Sequence, residues 1–150
     1  MRALIQRVHE ASVSINDSIH SRIGKGLLIF LGVTRDDTTE NASSLAIRCA
    51  NLRIFEDAGG KMNLSVKDVE GEVLIVSQFT LYADTQRGNR PSFTDAARPE
   101  IAETLYEAFV STVRDALAPH RVHTGMFRAM MDVSLVNNGP VTILLESKKE

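Results

Sequence analysis

The chain has 150 residues, 43% hydrophobic and 24% charged, with a formal net charge of −2. A domain of this length buries about 70% of the surface its unfolded chain exposes, and the near-average composition excludes a disordered, collagen-like or coiled-coil protein. The slight negative charge excludes a global basic footprint for polyanions, so any RNA contact has to be local.

In chain order, RALIQRVHEASVSI alternates loosely, with Ala3, Ile5, Val13 and Ile15 apolar, and Asn16-Asp17 sits where a hairpin would turn. The N-terminus therefore reads as strand, turn, strand. GLLIFLGV at 26–33 is a continuous apolar run, the pattern of a strand covered on both faces, and Gly32 near its end suggests a bulge or a close backbone approach. A capping box from Asp37 to Glu40 then opens an amphipathic helix with Leu45, Cys49 and Leu52 on one face, leading into a short strand at Leu52 to Phe55. EDAGGKMN reads as a loop. EVLIVSQFTLYA is the strongest strand, apolar and β-branched to Val76, and changes character at Ser77. After the Gly/Asn/Pro-rich DTQRGNRPSF, a second helix carries Ile101, Leu105, Phe109 and Val113 at four-residue spacing, with Pro99 in its first turn and Pro119 ending it. HRVHTG and RAMMDVSLVNNGPVTILLES complete the chain as strands.

No repeat, linker or compositional break divides residues 1–150, so the expected fold is one β-rich α/β domain, a curved sheet or partly closed β-barrel with two packed helices. No apolar run approaches the roughly 20 residues that span a bilayer, and the start lacks a signal pattern, which points to the cytoplasm and away from membranes. The single cysteine, Cys49, cannot form an internal disulfide and lies at an apolar helical position, so it reads as an inert thiol.

The usual catalytic signatures are absent: no GxSxG elbow, P-loop, CxxC pair or HExxH helix occurs. His120 and His123 stand three apart with no cysteine or paired carboxylate nearby, so no metal and no cofactor is expected. Two stretches remain. In SQFTLYADTQ, the polar Ser77, Gln78 and Thr80 interrupt the end of a buried strand; they either satisfy neighbouring backbone groups or form a site beside the flexible segment that follows. In SLVNNGPVTILLES, four strand-disfavouring residues, Asn137 to Pro140, break what otherwise reads as one long strand. A hairpin turn would explain them.

Taken together, SQFTL at 77–81 and NNGPVT at 137–142 resemble the two signature motifs of the D-aminoacyl-tRNA deacylases, also called D-tyrosyl-tRNA deacylases. The resemblance runs from RALIQRVHEASV and GLLIFLGV through GNRPSFTDAA to the end of the chain. It implies a cytosolic homodimer that hydrolyses the ester between a D-amino acid and the 3′-terminal adenosine of tRNA, and that also clears glycine from mischarged tRNA. It further implies that the Gly139-Pro140 bond is cis and that this dipeptide projects into the active site of the partner subunit as a chirality filter. Ser77, Gln78, Phe79 and Thr80 would be catalytic, with Ser77 and Gln78 holding the adenosine or the strand-end geometry. Arg7, Phe127 and Met131 would support the pocket, Arg7 and Met131 helping to hold the Gly-Pro segment. Without the resemblance, Arg7 is a solvated strand charge, and Phe127 and Met131 are core.

Two mechanisms are open. Thr80 could attack the ester as a nucleophile, although no base is evident. Alternatively, the ribose 2′-hydroxyl assists attack by water while backbone N–H groups around Gln78 to Thr80 stabilise the oxyanion. Charge alone assigns Arg87, Arg90 and Lys148-Lys149 to the tRNA body, with Arg98 close by. Competing readings are a non-catalytic nucleic-acid-binding homodimer and a general small-ester hydrolase using Thr80.

Overall fold

A computed structural model describes residues 1–147; Lys148 and Lys149 lie outside the described residues. β1 (Arg2–Ile15) is the spine of a six-stranded mixed sheet. Its first half pairs antiparallel with β3 (Gly26–Gly32) and its second half with β2 (Ser18–Ile23), while β8 (Asp132–Glu146) runs antiparallel along its other edge. β6 (Glu72–Ser77) adds parallel to β3, and β7 (Val122–Thr124) parallel to β6. β2 meets the far edge again where the Ser21 hydroxyl donates to the Thr124 carbonyl at 2.9 Å, so the sheet nearly closes into a barrel. The two crossovers that parallel pairing demands carry α1 (Thr39–Ala50) and α2 (Pro99–Leu117).

The expected hairpin is present: Asn16 and Asp17 have φ of 50° and 61°, the left-handed pair that a two-residue turn with the right twist requires. β1 alternates only loosely because it changes face. Ala3 and Ile5 pack in the core under the helices, whereas Val8, Ala11 and Val13 pack inside the barrel with Leu28, Leu74 and Val76. The switch occurs where register against β8 slips between Val8 and Glu10, a bulge at His9 that turns the side-chain parity over. β3 is covered on both faces as its unbroken apolar run demands, Leu27, Ile29 and Leu31 lying under the helices and Leu28 inside the barrel.

Several boundaries differ from the sequence reading. The capping box of α1 is Thr38 with Asn41, the Thr38 hydroxyl accepting from the Asn41 N–H at 3.3 Å and the Asn41 amide oxygen from the Thr38 N–H at 3.0 Å. Asp37 is drawn away: its carboxylate accepts from the Thr34 N–H and from the N-terminal ammonium. Leu45 and Cys49 are buried, but Leu52 lies beyond the helix end. No strand spans 52–55; instead β4 (Phe55–Glu56) pairs with β5 (Met62–Leu64), so the predicted loop EDAGGKMN is largely the tip of a small hairpin. On α2, Leu105, Phe109 and Val113 are buried, while Ile101 is exposed and its neighbour Ala102 packs against the core instead.

Two tests follow from this packing. A Cβ on Gly26 would lie 1.8 Å from the Glu72 carbonyl oxygen, so Gly26→Ala should push β3 off β6 and cost about 3 kcal/mol in urea unfolding; a neutral effect would contradict the parallel pairing. Burial pushes the Cys49 thiol up to about 12. The unfolded thiol ionises at lower pH, so this burial stabilises the fold fully below its ordinary value of 9.0 and progressively less above it. Native protein at pH 8 should leave Cys49 unreactive toward a disulfide reagent, with labelling following unfolding.

Candidate active site

β3 and β6 end side by side, Leu31 opposite Ser77. The chain then leaves the sheet in a 3-10 turn at Phe79–Tyr82. Three contacts position that turn. The Gln78 N–H donates to the Leu31 carbonyl at 2.8 Å, continuing the ladder one step. Gly32 supplies room, since a Cβ there would lie 3.1 Å from the Gln78 carbonyl oxygen and 3.2 Å from the Tyr82 ring; its role is the close approach, with no bulge. Arg2, from the start of β1, donates to the Leu81 carbonyl at 2.8 Å, lies over the Tyr82 ring at 4.7 Å and pairs with Glu146 at 2.7 Å. Burial, with Asp37 nearby, raises the Tyr82 phenol above its ordinary range, so it stays neutral.

Ser77 and Gln78 are half-buried, and Phe79 and Thr80 are exposed. The Phe79 ring is held edge-on by Phe93 with centroids 5.1 Å apart. The Gln78 side-chain amide donates to the Thr80 hydroxyl oxygen at 2.5 Å. No carboxylate or imidazole among the described residues of the chain accepts a proton from that hydroxyl, so none of them is placed to activate Thr80 as a nucleophile. Of the backbone donors named from sequence, Gln78 N–H is already committed to Leu31; Phe79 and Thr80, the first residues of the turn, have no backbone acceptor among the described residues.

Beyond β7, the segment 125–131 packs beside the same strand ends. Gly125 N–H donates to the Ile75 carbonyl at 3.0 Å, and a Cβ on Gly125 would lie 2.8 Å from the Met131 sulfur. Phe127 lies tilted against Tyr106 at 5.9 Å, and Tyr106 donates its hydroxyl to the Ile75 carbonyl at 2.8 Å. Phe127, Tyr106, Val110 and Thr124 line a groove of about 540 Å³ between α2 and this segment.

The Asn137-Asn138-Gly139-Pro140 segment is no hairpin turn. β8 continues through it, and the register against β1 passes from Thr142 opposite Gln6 to Asn137 opposite Val8. Residues 138–141 thus bulge out opposite the single residue Arg7. The Asn137 amide closes the neck of the bulge, donating to the carbonyls of Arg7 at 3.0 Å and Val141 at 3.2 Å. Arg7 is buried and donates to the Ile54 carbonyl at 2.6 Å and the Asn138 carbonyl at 3.2 Å, so it is no solvated charge. Gly139 has φ of 141° and lies 3.2 Å from the Arg7 guanidinium by its ideal Cβ, a conformation and approach that favour glycine. The Gly139-Pro140 bond is cis, and both residues are exposed.

The two motifs do not meet within one chain. Arg7 is opposite Leu27 and Ser77 opposite Leu31, four residues further along β3, and β8 lies on the far side of β1. At about 3.3 Å per residue and 4.8 Å per strand, Gly139-Pro140 stands on the order of 20 Å from Ser77. Met131 precedes Gly139 by eight residues along extended chain, roughly 25 Å, so it does not hold its own chain's Gly-Pro segment; it packs at the Ser77 end with Gly125 and Val76.

The model of a family described as D-Tyr-tRNA(Tyr) deacylase matches residues 4–146. The chain belongs to that family. A D-aminoacyl-tRNA deacylase of Chlorobaculum tepidum is 55% identical over 100% of this chain and 99% of its own, and one of Thermotoga petrophila is 57% identical over 99% of each. Among solved structures, a c-Myc DNA Unwinding Element Binding Protein has a TM-score of 0.95 at 41% identity, covering 99% of this chain and 100% of its own. A probable eukaryotic D-amino acid tRNA deacylase shares the fold, with a TM-score of 0.83 at 19% identity, covering 97% and 98%.

Sequence reasoning missed Arg2, Tyr82 and Phe93 as supports of the turn; they lie outside SQFTL, and no local pattern joins them to it. The Arg7 anchor yields a prediction. Arg7→Leu leaves the Ile54 and Asn138 carbonyls unsatisfied and should cost about 2–3 kcal/mol, with amide exchange accelerating most at residues 137–142. Uniform acceleration across the sheet would contradict a specific anchor.

Proposed function

We propose that this protein hydrolyses the ester of D-aminoacyl-tRNA, and of mischarged glycyl-tRNA, in a site shared by two chains of a homodimer, as cytosolic quality control in translation. Family membership supports the reaction. The observation that carries the shared site is the separation of the two motifs on opposite ends of one sheet, each with exposed residues and each lacking what the other has.

In this reading the turn at 77–80 and the Phe127–Met131 segment receive the terminal adenosine and its ester, and the partner's Gly-Pro bulge closes the pocket. Backbone carbonyls of the bulge accept hydrogen bonds from the substrate's α-ammonium, and the space beside them is too small for a side chain of L configuration. Exclusion by backbone is indifferent to the identity of the side chain, so many D-residues pass. Glycine has nothing to clash and passes as well.

For the chemistry, water attacks the ester carbonyl carbon, its proton passes toward the ribose 2′-hydroxyl, and the carbonyl oxygen gains the negative charge. The free N–H groups of Phe79 and Thr80 are the donors suited to that oxyanion. Collapse breaks the bond to the 3′-oxygen, which receives the proton that the 2′-hydroxyl relays and leaves as a hydroxyl, freeing tRNA and the amino acid. The Gln78 amide on the Thr80 hydroxyl makes Thr80 a spacer that orders the turn, which disfavours an acyl-enzyme and with it the general small-ester hydrolase.

A second reading, a non-catalytic nucleic-acid-binding homodimer, draws on the name of the solved relative at 41% identity. The deciding assay is hydrolysis of matched D-tyrosyl-, L-tyrosyl- and glycyl-tRNA. D-tyrosyl and glycyl esters should be cleaved and the L ester spared by at least about 100-fold, with Pro140→Ala relaxing or abolishing the difference. Retention of tRNA with no hydrolysis of any ester would favour the binding module. Thr80→Ala should keep kcat within about tenfold, whereas a terminal 2′-deoxyadenosine ester should lose about 100-fold or more; the reverse pattern would make Thr80 the nucleophile.

A further inference from the structure

Between the turn and α2 the chain forms a protruding hairpin that the site described above does not use. Asp84 and Ser92 exchange both backbone hydrogen bonds, at 2.7 and 2.9 Å, and the Asp84 carboxylate accepts the Gln86 N–H at 2.9 Å. Gly88 turns the tip with φ of 78°, and a Cβ there would touch nothing within 4 Å, so the tip stands in open solvent. The hairpin's far arm is fixed to the active-site turn. Phe93 packs on Phe79, and the next residues are tied to the chain beyond β3 by the Thr34–Ala96 bridge and a 2.6 Å bond from the Thr34 hydroxyl to the Asp95 carbonyl.

The tip carries Arg87 and Arg90, both exposed. The carboxylates of this segment are occupied, Asp84 by Gln86 and Asp95 by Arg35 at 3.2 Å. Among the described residues no ion pair or hydrogen bond engages either tip guanidinium. Two uncompensated arginines on a pinned arm, in a chain of net charge −2, form a local anion site held in fixed relation to Phe79. Arginine matches a phosphate with two parallel donors, and a pre-placed arm loses little on ordering.

We propose that this hairpin is a phosphate clamp: Arg87 and Arg90 hold phosphodiesters of the single-stranded RNA end immediately upstream of the scissile ester. The inference rests on the deacylase reading and adds where the RNA chain runs. It separates the substrate into a nucleoside ester, met by the turn, and a phosphate strand, met by the hairpin.

The test compares D-tyrosyl-tRNA with 3′-O-(D-tyrosyl)adenosine, which carries no phosphate, for wild type and Arg87→Ala/Arg90→Ala. The variant should lose about 10- to 30-fold in kcat/KM on the tRNA ester and less than about twofold on the nucleoside ester. The salt dependence of log kcat/KM on tRNA should flatten by about 1.4, two single-strand phosphate contacts at about 0.7 each. A charge-matched Arg22→Ala/Lys61→Ala variant should keep the wild-type slope. Equal losses on both substrates, no loss on tRNA, or the same flattening in the charge-matched variant would overturn the clamp. Should wild type cleave neither substrate, the deacylase reading has failed, and anisotropy with uncharged tRNA then decides the clamp: salt-dependent binding lost in the variant supports it, and undiminished binding or none overturns it.

Discussion

Arg7 is a buried cation with no ion-pair partner among the described residues, and the structure around it is arranged to satisfy a charge that would otherwise be costly. Its donors reach the Ile54 carbonyl at the end of the α1 connection and the Asn138 carbonyl at the start of the β8 bulge. One side chain on the central strand thereby links the helix layer to the bulge. Without those donors the bulge would have carbonyls and no anchor; without the bulge the guanidinium would lose both of its Asn138 acceptors and keep the Ile54 carbonyl.

The same strand supports the other end of the sheet. Arg2, five residues before Arg7 on β1, reaches over the Tyr82 ring and the Leu81 carbonyl. β1 therefore carries one arginine for each motif, and its rigid pairing with β3 and β8 sets the distance between them. That distance is too large for one chain to close, which is why the proposed site needs a second copy. A mobile loop could swing across; a bulge locked by Asn137 and Arg7 cannot.

What was legible in the sequence was what local pattern decides. The Asn16-Asp17 turn, the doubly covered β3, the core face of α1 and the body of α2 all follow from periodicity and turn chemistry. Where two local solutions competed, pattern alone failed: Asp37 and Thr38 both suit an N-cap, and Asp37 was taken by the N-terminal ammonium and Thr34, partners far from or outside the helix. Non-local pairing hid the rest. The His9 bulge flips the face of β1, and Asn137 to Pro140 reads as a turn until the register against Arg7 is known. The candidate site residues of SQFTL and NNGP were legible only as family motifs, and the motifs are silent about their separation in one chain. Met131 illustrates this: it packs with Gly125 and Val76, and only in the proposed dimer would it meet a Gly-Pro segment.

The shared site is the claim on which the functional account depends, and mixing tests it most directly. Pro140→Ala has an intact turn and a defective bulge, and Phe79→Pro, which removes a proposed oxyanion N–H at the first position of the turn where proline is tolerated, has the converse, so each homodimer should be inactive or indiscriminate. Exchanged in equal amounts, half of the dimers are mixed and hold one intact site of two, so chirally selective D-tyrosyl-tRNA hydrolysis should return to about a quarter of the wild-type rate. A mixture no more active than the two variants measured separately would contradict a site built from two chains.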